Sequence, residues 1–329
     1  MRHIRFTTAD WWIGFDPSEI AIRFPELAAV AHLEFVPTIE QAELLIYSCF
    51  PGGLKTRLPK DPLGGRAGGP VRLFYTAENV QPNLRECDFA ISFSRTVVDP
   101  RHYRMPNSIA ALRMDGLDPI LLQSSTAQRA PGTIGSRPRP KKTAGELLRG
   151  KTRFCTYVQK NPVPFREEFV RRLSAYKTVD CAGPSLNNTG FNVNRSEKHA
   201  MYAESKFAVT FENECSLGYT TEKLPDALIK DCVPIYWGDP TVGLDFNEES
   251  FIRVRSEEDV DAAIERVIAL DRDDRAYAAM LNAPKFPGGA MPLDYQTEPL
   301  RQFFERVVSS VVSGKRPAVL SAMSTSLIP

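Results

Sequence analysis

The chain consists of short apolar runs separated by polar or helix-patterned stretches. Runs rich in Val, Ile, Phe and Tyr, with breakers between them, are typical of strands buried on both faces of a parallel sheet. Such runs in the first half predict strands over His3 to Phe6, Glu43 to Ser48, Val71 to Thr76 and Phe89 to Phe93. The Gly- and Pro-rich stretch from Pro51 to Pro70 predicts a loop, because a regular element there would carry a high entropic cost.

The second half alternates strand and helix patterns more regularly. Its predicted strands are Arg153 to Val158, Phe207 to Phe211 and Val233 to Trp237, and its predicted helices are Arg166 to Leu173, Glu222 to Ile229, about Glu257 to Leu270 and Pro299 to Ser313. We expect Ser256 to cap the third of these helices, and the apolar positions of the last make it amphipathic. The alternation predicts a right-handed doubly wound sheet.

A polar, basic stretch rich in Pro and Gly, Ser124 to Lys142, separates the two halves and has the composition of a linker. A chain of 329 residues fits two domains better than one. We therefore predict a Rossmann-like domain over residues 1–145, which includes the linker, and a second over 146–298. A C-terminal helix and tail would follow over 299–329.

Composition disfavours several classes of partner and function. Lys and Arg number 41 against 40 Asp and Glu, so nothing indicates a nucleic-acid or anionic-membrane partner. The chain lacks an apolar run long enough for a transmembrane segment, and its start lacks the apolar core of a secretion signal, so we expect a cytoplasmic protein. Peripheral association with a membrane stays open. Neither G-x-G-x-x-G after the first strand nor a P-loop occurs, which disfavours dinucleotide oxidoreductases and P-loop enzymes.

The residue types that commonly bind metals show no metal-site spacing. The cysteines form no C-x-x-C pair and are interpreted as reduced core residues; they are Cys49, Cys87, Cys155, Cys181, Cys215 and Cys232. We interpret the D-x-D patterns at Asp259–Asp261 and Asp271–Asp273 as solvated charges on a surface helix. No metal and no cofactor is therefore expected.

Most of the candidate chemistry lies between Lys206 and Pro240. In this segment Glu212–Asn213 ends a predicted strand, and the turn Gly218–Lys223 leads into a predicted helix that Thr220 or Thr221 could cap. Ligands of open α/β sheets bind where the chain turns at the carboxyl ends of the strands. A helix N-terminus there presents unpaired N–H groups and a partial positive charge, which suits a phosphate.

Three side chains of this turn could contact a phosphorylated sugar. Lys223 would add a full positive charge, Tyr219 would supply a ring and a hydroxyl, and Glu222 could accept hydrogen bonds from sugar hydroxyls. The pattern is equally compatible with Glu222 and Lys223 as a solvated pair in the first helical turn and Tyr219 as a packing residue.

Two further charged residues stand at predicted strand ends. Arg166 opens a helix shortly after a strand, from where its planar guanidinium could reach a pyrophosphate. Glu78 ends the strand of Phe74 to Thr76 and could act as a general base on an acceptor hydroxyl. Taken alone, each pattern is more often structural: a surface helix arginine, or a glutamate bonded to nearby backbone.

The segment FENECSLGYTTEKLPDAL…VPIYWGDP resembles the donor-binding motif of the α1,3/α1,4-fucosyltransferases, glycosyltransferase family 10, and of the bacterial members in particular. That family shows Phe-Glu-Asn after a strand, then a Tyr-x-Thr-Glu-Lys box, a helix, and a Val/Ile-Pro strand that ends in Gly. The earlier FYTAENVQPN resembles its Tyr-Thr-x-Glu-Asn segment, and ADWW, YRMP and NPVPFREEF match its layout. The likeness extends over about residues 6 to 285.

The resemblance implies a fold of the GT-B class: two Rossmann-like, doubly wound α/β domains that face each other across a cleft. It implies an inverting, metal-independent transferase that moves L-fucose from GDP-fucose to a GlcNAc-type residue of a Galβ1,4GlcNAc-like glycan. Position by position, Glu78 would be the general base, and Arg166 and Lys223 would neutralise the pyrophosphate. The nucleotide and the fucose would be held by Asn213, Tyr219 and Glu222.

The resemblance says less about which residues would bind the acceptor. Trp11 and Trp12 could stack on an acceptor sugar or pack in the core. Asn79 and His102 are further candidates on this side, although a structural role is favoured for His102. The sequence lacks the heptad-repeat coiled coil of some bacterial members and the transmembrane stem of animal relatives. Alternatives left open are another acceptor or linkage, such as α1,4 or a chitin-like oligosaccharide, and a non-catalytic protein that binds nucleotide sugars or glycans.

Overall fold

The computed structural model describes residues 1–50, 69–114 and 141–317. The predicted loop Pro51 to Pro70 and the predicted linker Ser124 to Lys142 therefore lie almost wholly outside the described residues. The chain divides into two compact units, one formed by Met1–Pro106 with Leu293–Pro329 and the other by Asn107–Pro292. Each unit contains one parallel β-sheet with helices packed on it, so the predicted α/β class is confirmed.

The elements of the described residues are numbered in chain order. The strands are β1 (Arg2–Ala9), β2 (Ala31–Phe35), β3 (Leu44–Tyr47), β4 (Val71–Tyr75), β5 (Phe89–Ser92), β6 (His102–Arg104), β7 (Arg153–Tyr157), β8 (Val179–Cys181), β9 (Ser205–Val209), β10 (Val233–Tyr236) and β11 (Ile252–Arg253). The α-helices are α1 (Glu19–Arg23), α2 (Pro25–Val30), α3 (Asn107–Met114), α4 (Ala144–Leu148), α5 (Pro164–Ser174), α6 (Arg195–Glu204), α7 (Lys223–Ile229), α8 (Val260–Arg272), α9 (Asp274–Asn282) and α10 (Thr297–Ser313). Short 3₁₀ turns occur at Ile39–Gln41, Val242–Leu244, Glu248–Ser250, Glu257–Asp259, Pro287–Gly289 and Leu293–Tyr295.

The first unit has a six-stranded parallel sheet in the order β2-β1-β3-β4-β5-β6. All four residues of β3 and of β5 are buried, as expected for strands covered on both faces. The predicted strands are confirmed with slightly different bounds, but the edge strands β2 and β6 were missed. Most of β2 is exposed, and β6 has three residues of which two, His102 and Arg104, are polar and half-buried, so neither gives an apolar run.

The C-terminal helix α10 belongs to the first unit, and this differs from the predicted division at residue 298/299. It packs against α2 and β4 through its apolar face. Phe303 meets Phe89 edge-on at 5.8 Å, and Phe304 meets Phe24 at 5.5 Å. The amphipathic pattern was recognised correctly, but sequence order alone does not show which sheet a terminal helix covers.

The second unit has a five-stranded parallel sheet in the order β11-β10-β9-β7-β8. Helices α5 and α8 cover it with buried apolar side chains, among them Phe169 and Val267. Ser256 lies at the predicted N-cap position, but its side chain makes no capping bond. Residues Glu257–Asp259 form a 3₁₀ turn without a side-chain cap, and the hydroxyl of Ser256 bonds the side chain of Glu258 instead.

All six cysteines are free thiols, as predicted. Four are buried, and burial raises the pKa of Cys87 and of Cys232 to about 12. Cys49 is half-buried and Cys215 is exposed, so the prediction of core positions is wrong for Cys215. No helix in the described part of the chain combines the length and the apolar character that crossing a membrane requires.

Candidate functional site

Polar side chains gather at the carboxyl ends of β7, β9 and β10 in the second unit. The chain leaves β9 through Phe211, Glu212 and Asn213, and Glu212 still pairs with the outgoing chain of β10 through a backbone bond of 2.8 Å to the carbonyl of Trp237. The turn Gly218–Lys223 then leads into α7. This edge of a parallel sheet is where open α/β proteins bind their ligands.

Glu212 holds the turn and the first residue of α7 together. Its side chain is fully buried. One carboxylate oxygen accepts the backbone N–H of Thr221 at 2.7 Å, and the other accepts the hydroxyl of Thr221 at 2.7 Å and the ammonium of Lys223 at 3.0 Å. The same ammonium donates to the Thr221 hydroxyl oxygen at 3.0 Å. Sequence reasoning placed Glu212 at the strand end but missed this role.

The network overturns two of the interpretations that the turn allowed. Neither Thr220 nor Thr221 caps α7, because their hydroxyls bond Asp239 and Glu212. The cap position belongs to Glu222, which makes no side-chain cap bond. Lys223 is not a solvated surface residue, because its side chain is 13% exposed and paired with Glu212. Burial would lower the pKa of Lys223, but the carboxylates of Glu212 and Glu222 raise it above its ordinary value. Lys223 is therefore a fixed positive charge.

A second buried carboxylate, Asp239, organises the same turn from the end of β10. One of its oxygens accepts the backbone N–H groups of Gly218 at 2.8 Å and of Thr241 at 2.7 Å, and the other accepts the hydroxyl of Thr220 at 3.2 Å. Asp239 is 2% exposed. Sequence reasoning missed Asp239, although an acidic residue between Gly and Pro directly after a buried strand was a usable signal.

Gly238 is required by the packing of Glu212. Its φ of +155° is rarely adopted by L side chains, and a Cβ atom there would lie 2.4 Å from Cγ of Glu212 and 2.9 Å from the hydroxyl of Tyr236. Both neighbours are buried and hydrogen-bonded, so neither can move without loss of bonds. The glycine that ends this strand therefore lets Glu212 take its position.

We expect Gly238→Ala to destabilise the protein by about 2 kcal/mol, because a collision in a packed core and an unfavourable φ add together. Gly150→Ala is the matched control, since Gly150 also has a positive φ of +85° but nothing within 4 Å of the added methyl group. Urea unfolding of the two variants measures the difference. Equal destabilisation would contradict the packing argument.

Arg166 is the most unusual charged residue of the site, because its guanidinium is fully buried without a carboxylate partner among the described residues. It donates to Oε1 of Gln159 at 2.8 Å and to the carbonyls of Phe211 at 3.3 Å and Asn161 at 3.1 Å, while its Nε has no partner. Burial lowers its pKa. The alternative of a surface helix arginine is wrong. A buried, uncompensated cation favours an anionic ligand.

The other predicted residues of this unit are Tyr219 and Glu222 in the same turn and Asn213 after β9. Tyr219 is 4% exposed and Asn213 is half-buried. Glu222 accepts a hydrogen bond of 3.2 Å from the amide of Asn107, a contact that sequence reasoning missed. Burial would raise the pKa of Glu222, but the charges of Lys223 and Lys198 hold it below its ordinary value. Glu222 is therefore ionised.

Asp226, also missed, fixes the start of α7 against α6. It is fully buried, and Lys198 lies 2.7 Å, Arg195 3.1 Å and His199 3.2 Å from its carboxylate. Burial alone would raise the pKa of Asp226, but the contact with the His199 ring and the charges of Lys198 and Arg195 hold it below its ordinary value. The helix α6 has a sequence signal in its capping box, Asn194 with Glu197.

In the first unit, Glu78 lies in the loop that follows β4, as predicted. The loop is held by Thr76, whose hydroxyl oxygen accepts the backbone N–H of Glu78 at 3.0 Å and whose hydroxyl donates to the Glu78 carbonyl. Glu78 is exposed and Asn79 is half-buried. The carboxylate thus stands at the carboxyl end of a central strand.

The two neighbouring tryptophans have different surroundings. Trp11 is fully buried, donates its indole N–H to the carbonyl of Ile46 at 3.0 Å, and stacks on Phe15 and Tyr75. The proposed sugar contact is therefore wrong for Trp11, which packs in the core. Trp12 is half-buried, with the guanidinium of Arg23 4.9 Å from its ring centre. Only Trp12 of this pair keeps the acceptor role predicted from sequence.

His102 lies in the edge strand β6 and has partners on both ring nitrogens. Its Nδ1 donates to the carbonyl of Val97 at 3.1 Å, and its Nε2 accepts the hydroxyl of Ser92 at 2.8 Å. Burial lowers the pKa of His102 to about 4, so the ring is neutral. These bonds support the structural role that the sequence favoured.

The lowered pKa of His102 predicts a loss of stability in acid. The unfolded chain takes up this proton near pH 6.5 and the folded chain only near pH 4, so the stabilisation is present above pH 6.5 and is lost as the pH falls towards 4. Between pH 7.5 and 5, the free energy of urea unfolding should fall by about 1–2 kcal/mol more in the wild type than in His102→Gln. Equal losses in both proteins would contradict the assignment.

Two family models match this chain. One is glycosyltransferase family 10 (fucosyltransferase) C-term, over residues 148–282, and the other is the alpha-(1,3)-fucosyltransferase FucT N-terminal domain, over residues 4–110. The chain is 33% identical over 225 residues to the alpha-(1,3)-fucosyltransferase FucT of Helicobacter pylori, which covers 64% of this chain and 46% of that protein. It is also 33% identical over 137 residues to GDP-fucose protein O-fucosyltransferase 3 of Bos taurus, covering 38% of this chain and 28% of that protein. It thus spans less than half the length of these relatives.

Solved structures with the same fold include two of an alpha1,3-fucosyltransferase. The first matches with a TM-score of 0.72 and 24% identity over 94% of this chain and 90% of that one. The second, with GDP-fucose, matches with a TM-score of 0.70 and 24% identity over 94% and 91%. Anabaena Alr3699/HepE in complex with UDP-glucose matches with a TM-score of 0.51 and 10% identity over 94% and 100%. The predicted GT-B class of fold is confirmed.

Proposed function

The chain belongs to glycosyltransferase family 10, the fucosyltransferases, and from this premise we propose that it transfers L-fucose from GDP-fucose to a hydroxyl of a GlcNAc-type residue, giving an α1,3 linkage. The default acceptor is a Galβ1,4GlcNAc-like glycan. The observation that carries the proposal is the buried, uncompensated guanidinium of Arg166 at the sheet edge that also presents Lys223.

The charges of the second unit support a diphosphate donor. Arg166 contributes a positive charge that forms no ion pair with a carboxylate of the described residues, and Lys223 contributes a fixed ammonium. A planar guanidinium matches the geometry of phosphate oxygens. Tyr219, Asn213 and the ionised Glu222 would bind the nucleotide and the fucose hydroxyls. A solved relative of the same fold was crystallised with GDP-fucose.

The reaction requires an acceptor hydroxyl, a base for its proton and stabilisation of the departing GDP. We assign proton removal to Glu78, whose carboxylate is exposed after β4. The fucosyl centre would pass through a state with oxocarbenium character, and attack opposite the leaving group would invert it. Arg166 and Lys223 would stabilise the charge that grows on the β-phosphate. In this proposal these cations take the role that a metal ion has in other transferases.

An acceptor panel tests the reaction and its linkage. Purified protein is incubated with GDP-fucose and with N-acetyllactosamine, a β1,3-linked isomer, a chitin oligosaccharide or an unglycosylated peptide. The peptide is included because one relative is named a protein O-fucosyltransferase. We expect α1,3-fucosylated N-acetyllactosamine by mass spectrometry and NMR. An α1,4 product, or a product only with chitin or peptide, would replace the proposed acceptor. GDP binding without any product would support a non-catalytic binding protein.

A further inference from the structure

The ammonium of Lys223 has two of its three N–H groups bound inside the protein. One donates to Glu212 at 3.0 Å and one to Thr221 at 3.0 Å. Thr221 is itself bonded to Glu212 through both its backbone N–H and its hydroxyl. Glu212 therefore holds the nitrogen of Lys223 both directly and through the hydroxyl of Thr221. The remaining N–H has no partner among the described residues and can serve an anion.

We propose that Glu212 is a positioning residue for the donor diphosphate, which acts by holding Lys223 in place with one N–H available to a phosphate oxygen. This inference rests on the proposed function, because it needs a diphosphate in this site. Glu212 itself would not touch the phosphate, since a carboxylate would repel it.

The burial of Glu212 supports a role beyond that of an ordinary surface acid. A fully buried carboxylate is destabilising unless it is paired and hydrogen-bonded, and here both of its oxygens have partners at the site. The chain accommodates it with a glycine, Gly238, packed against its side chain. The bonds of Glu212 and the space left by Gly238 thus keep Glu212 where it can pair with Lys223.

Glu212 also keeps Lys223 charged. Among the described residues, Glu212, Glu222 at the start of α7 and Arg166 on α5 are the charged groups with the largest effect on this ammonium. Burial and Arg166 lower the pKa of Lys223, whereas Glu212 and Glu222 raise it. Removal of the Glu212 charge leaves burial and Arg166 opposed by Glu222 alone. The lysine would then lose its proton at a lower pH.

A similar pair at the opposite end of the same strand provides the control. The side chain of Asp271 is only 4% exposed, so the interpretation of Asp271 as a solvated charge is wrong. Its carboxylate lies 3.0 Å from Lys206 near the start of β9 and also pairs with Lys177. Glu212 follows the carboxyl end of β9. Asp271→Asn therefore removes a buried carboxylate that pairs with lysine in the same unit, but away from the candidate site.

Calorimetric titration with GDP at pH 7.5 and 9.5 tests the inference. We expect Glu212→Gln to weaken GDP binding about tenfold at pH 7.5, and we expect its Kd relative to wild type to rise about threefold further at pH 9.5. The ratio to wild type at each pH cancels the titration of GDP itself. Asp271→Asn should bind GDP like the wild type at both pH values.

A double-mutant cycle separates positioning from a general structural effect. If Glu212 acts through Lys223, Glu212→Gln should have no further effect on GDP affinity in a Lys223→Met background. Equal weakening in both backgrounds, or an unchanged Kd ratio between the two pH values, would overturn the inference. If the wild type did not bind GDP, the proposed function itself would fail.

Thr221→Val provides a second route should Glu212→Gln not fold. It removes the hydroxyl that joins Glu212 to Lys223 and keeps the buried volume. We expect GDP binding about threefold weaker, because the ammonium loses one of its two partners. Unchanged affinity in Thr221→Val would overturn the inference.

Discussion

Glu78→Gln is expected to lower the rate of fucose transfer by about 10³-fold, while GDP binding stays unchanged. The amide has the shape of the carboxylate but cannot accept a proton, and general base catalysis typically contributes 10²–10⁴-fold. The loop around Glu78 should persist, because Thr76 holds it through backbone groups that the substitution does not alter. Initial rates with GDP-fucose and acceptor, and calorimetry with GDP, measure the two quantities.

The control for Glu78 is Glu86→Gln, which changes another exposed glutamate of the first unit. Glu86 accepts a hydrogen bond from Asn83 at 2.7 Å in the turn before β5 and has no assigned role in the reaction. Its variant should transfer fucose at the wild-type rate. A rate for Glu78→Gln within about threefold of wild type would show that another residue removes the proton.

Arg166→Lys is expected to lower kcat/KM for GDP-fucose by about 10²-fold, and Arg166→Met by more. The guanidinium bonds Gln159 and two carbonyl oxygens at the same time, and an ammonium cannot reproduce this planar arrangement. Loss of one group that stabilises a growing negative charge typically costs 10²–10³-fold in rate. Steady-state kinetics with varied GDP-fucose measures the effect.

Arg172→Lys is the matched control on the same helix. Arg172 pairs with Asp261, whose side chain is 80% exposed, and a surface pair of this kind contributes little. Its variant should keep wild-type kinetics. Full activity of Arg166→Met would contradict the proposal that Arg166 stabilises the negative charge on the departing GDP.

The two cations of the site are not equivalent. The charge of Lys223 is largely balanced by Glu212, whereas Arg166 has no carboxylate partner among the described residues. An incoming diphosphate therefore meets a larger share of the charge of Arg166 than of the charge of Lys223. We expect Arg166 variants to lose more GDP affinity than Lys223 variants.

The apolar runs predicted the central strands of both sheets because strands buried on both faces need continuous apolar sequence. Edge strands and half-buried helices leave weaker signals, which is why β2, β6 and α6 were missed. The adjacent residues Trp11 and Trp12 show the same limit. Identical side chains at neighbouring positions differ only through the packing that each meets, and sequence pattern does not contain that packing.

The sequence indicated the charged residues proposed to bind the donor, but not the buried carboxylates that hold the surrounding turn and helix in place. Arg166 and Lys223 could be placed from strand order and family resemblance. The burial of Glu212, Asp239 and Asp226 was not predicted, because acidic residues are usually exposed unless they are paired. Apart from Thr241, two residues after Asp239, their partners lie 9 to 31 residues away in the chain, so only the folded structure reveals these pairs.

GDP release from GDP-fucose, measured in EDTA with and without N-acetyllactosamine, tests the central claim most directly. We expect release that depends on the acceptor and proceeds at the same rate with and without the chelator. Absence of release with any glycan acceptor, together with absence of GDP binding by calorimetry, would contradict the assignment of a fucosyl donor site to Arg166 and Lys223.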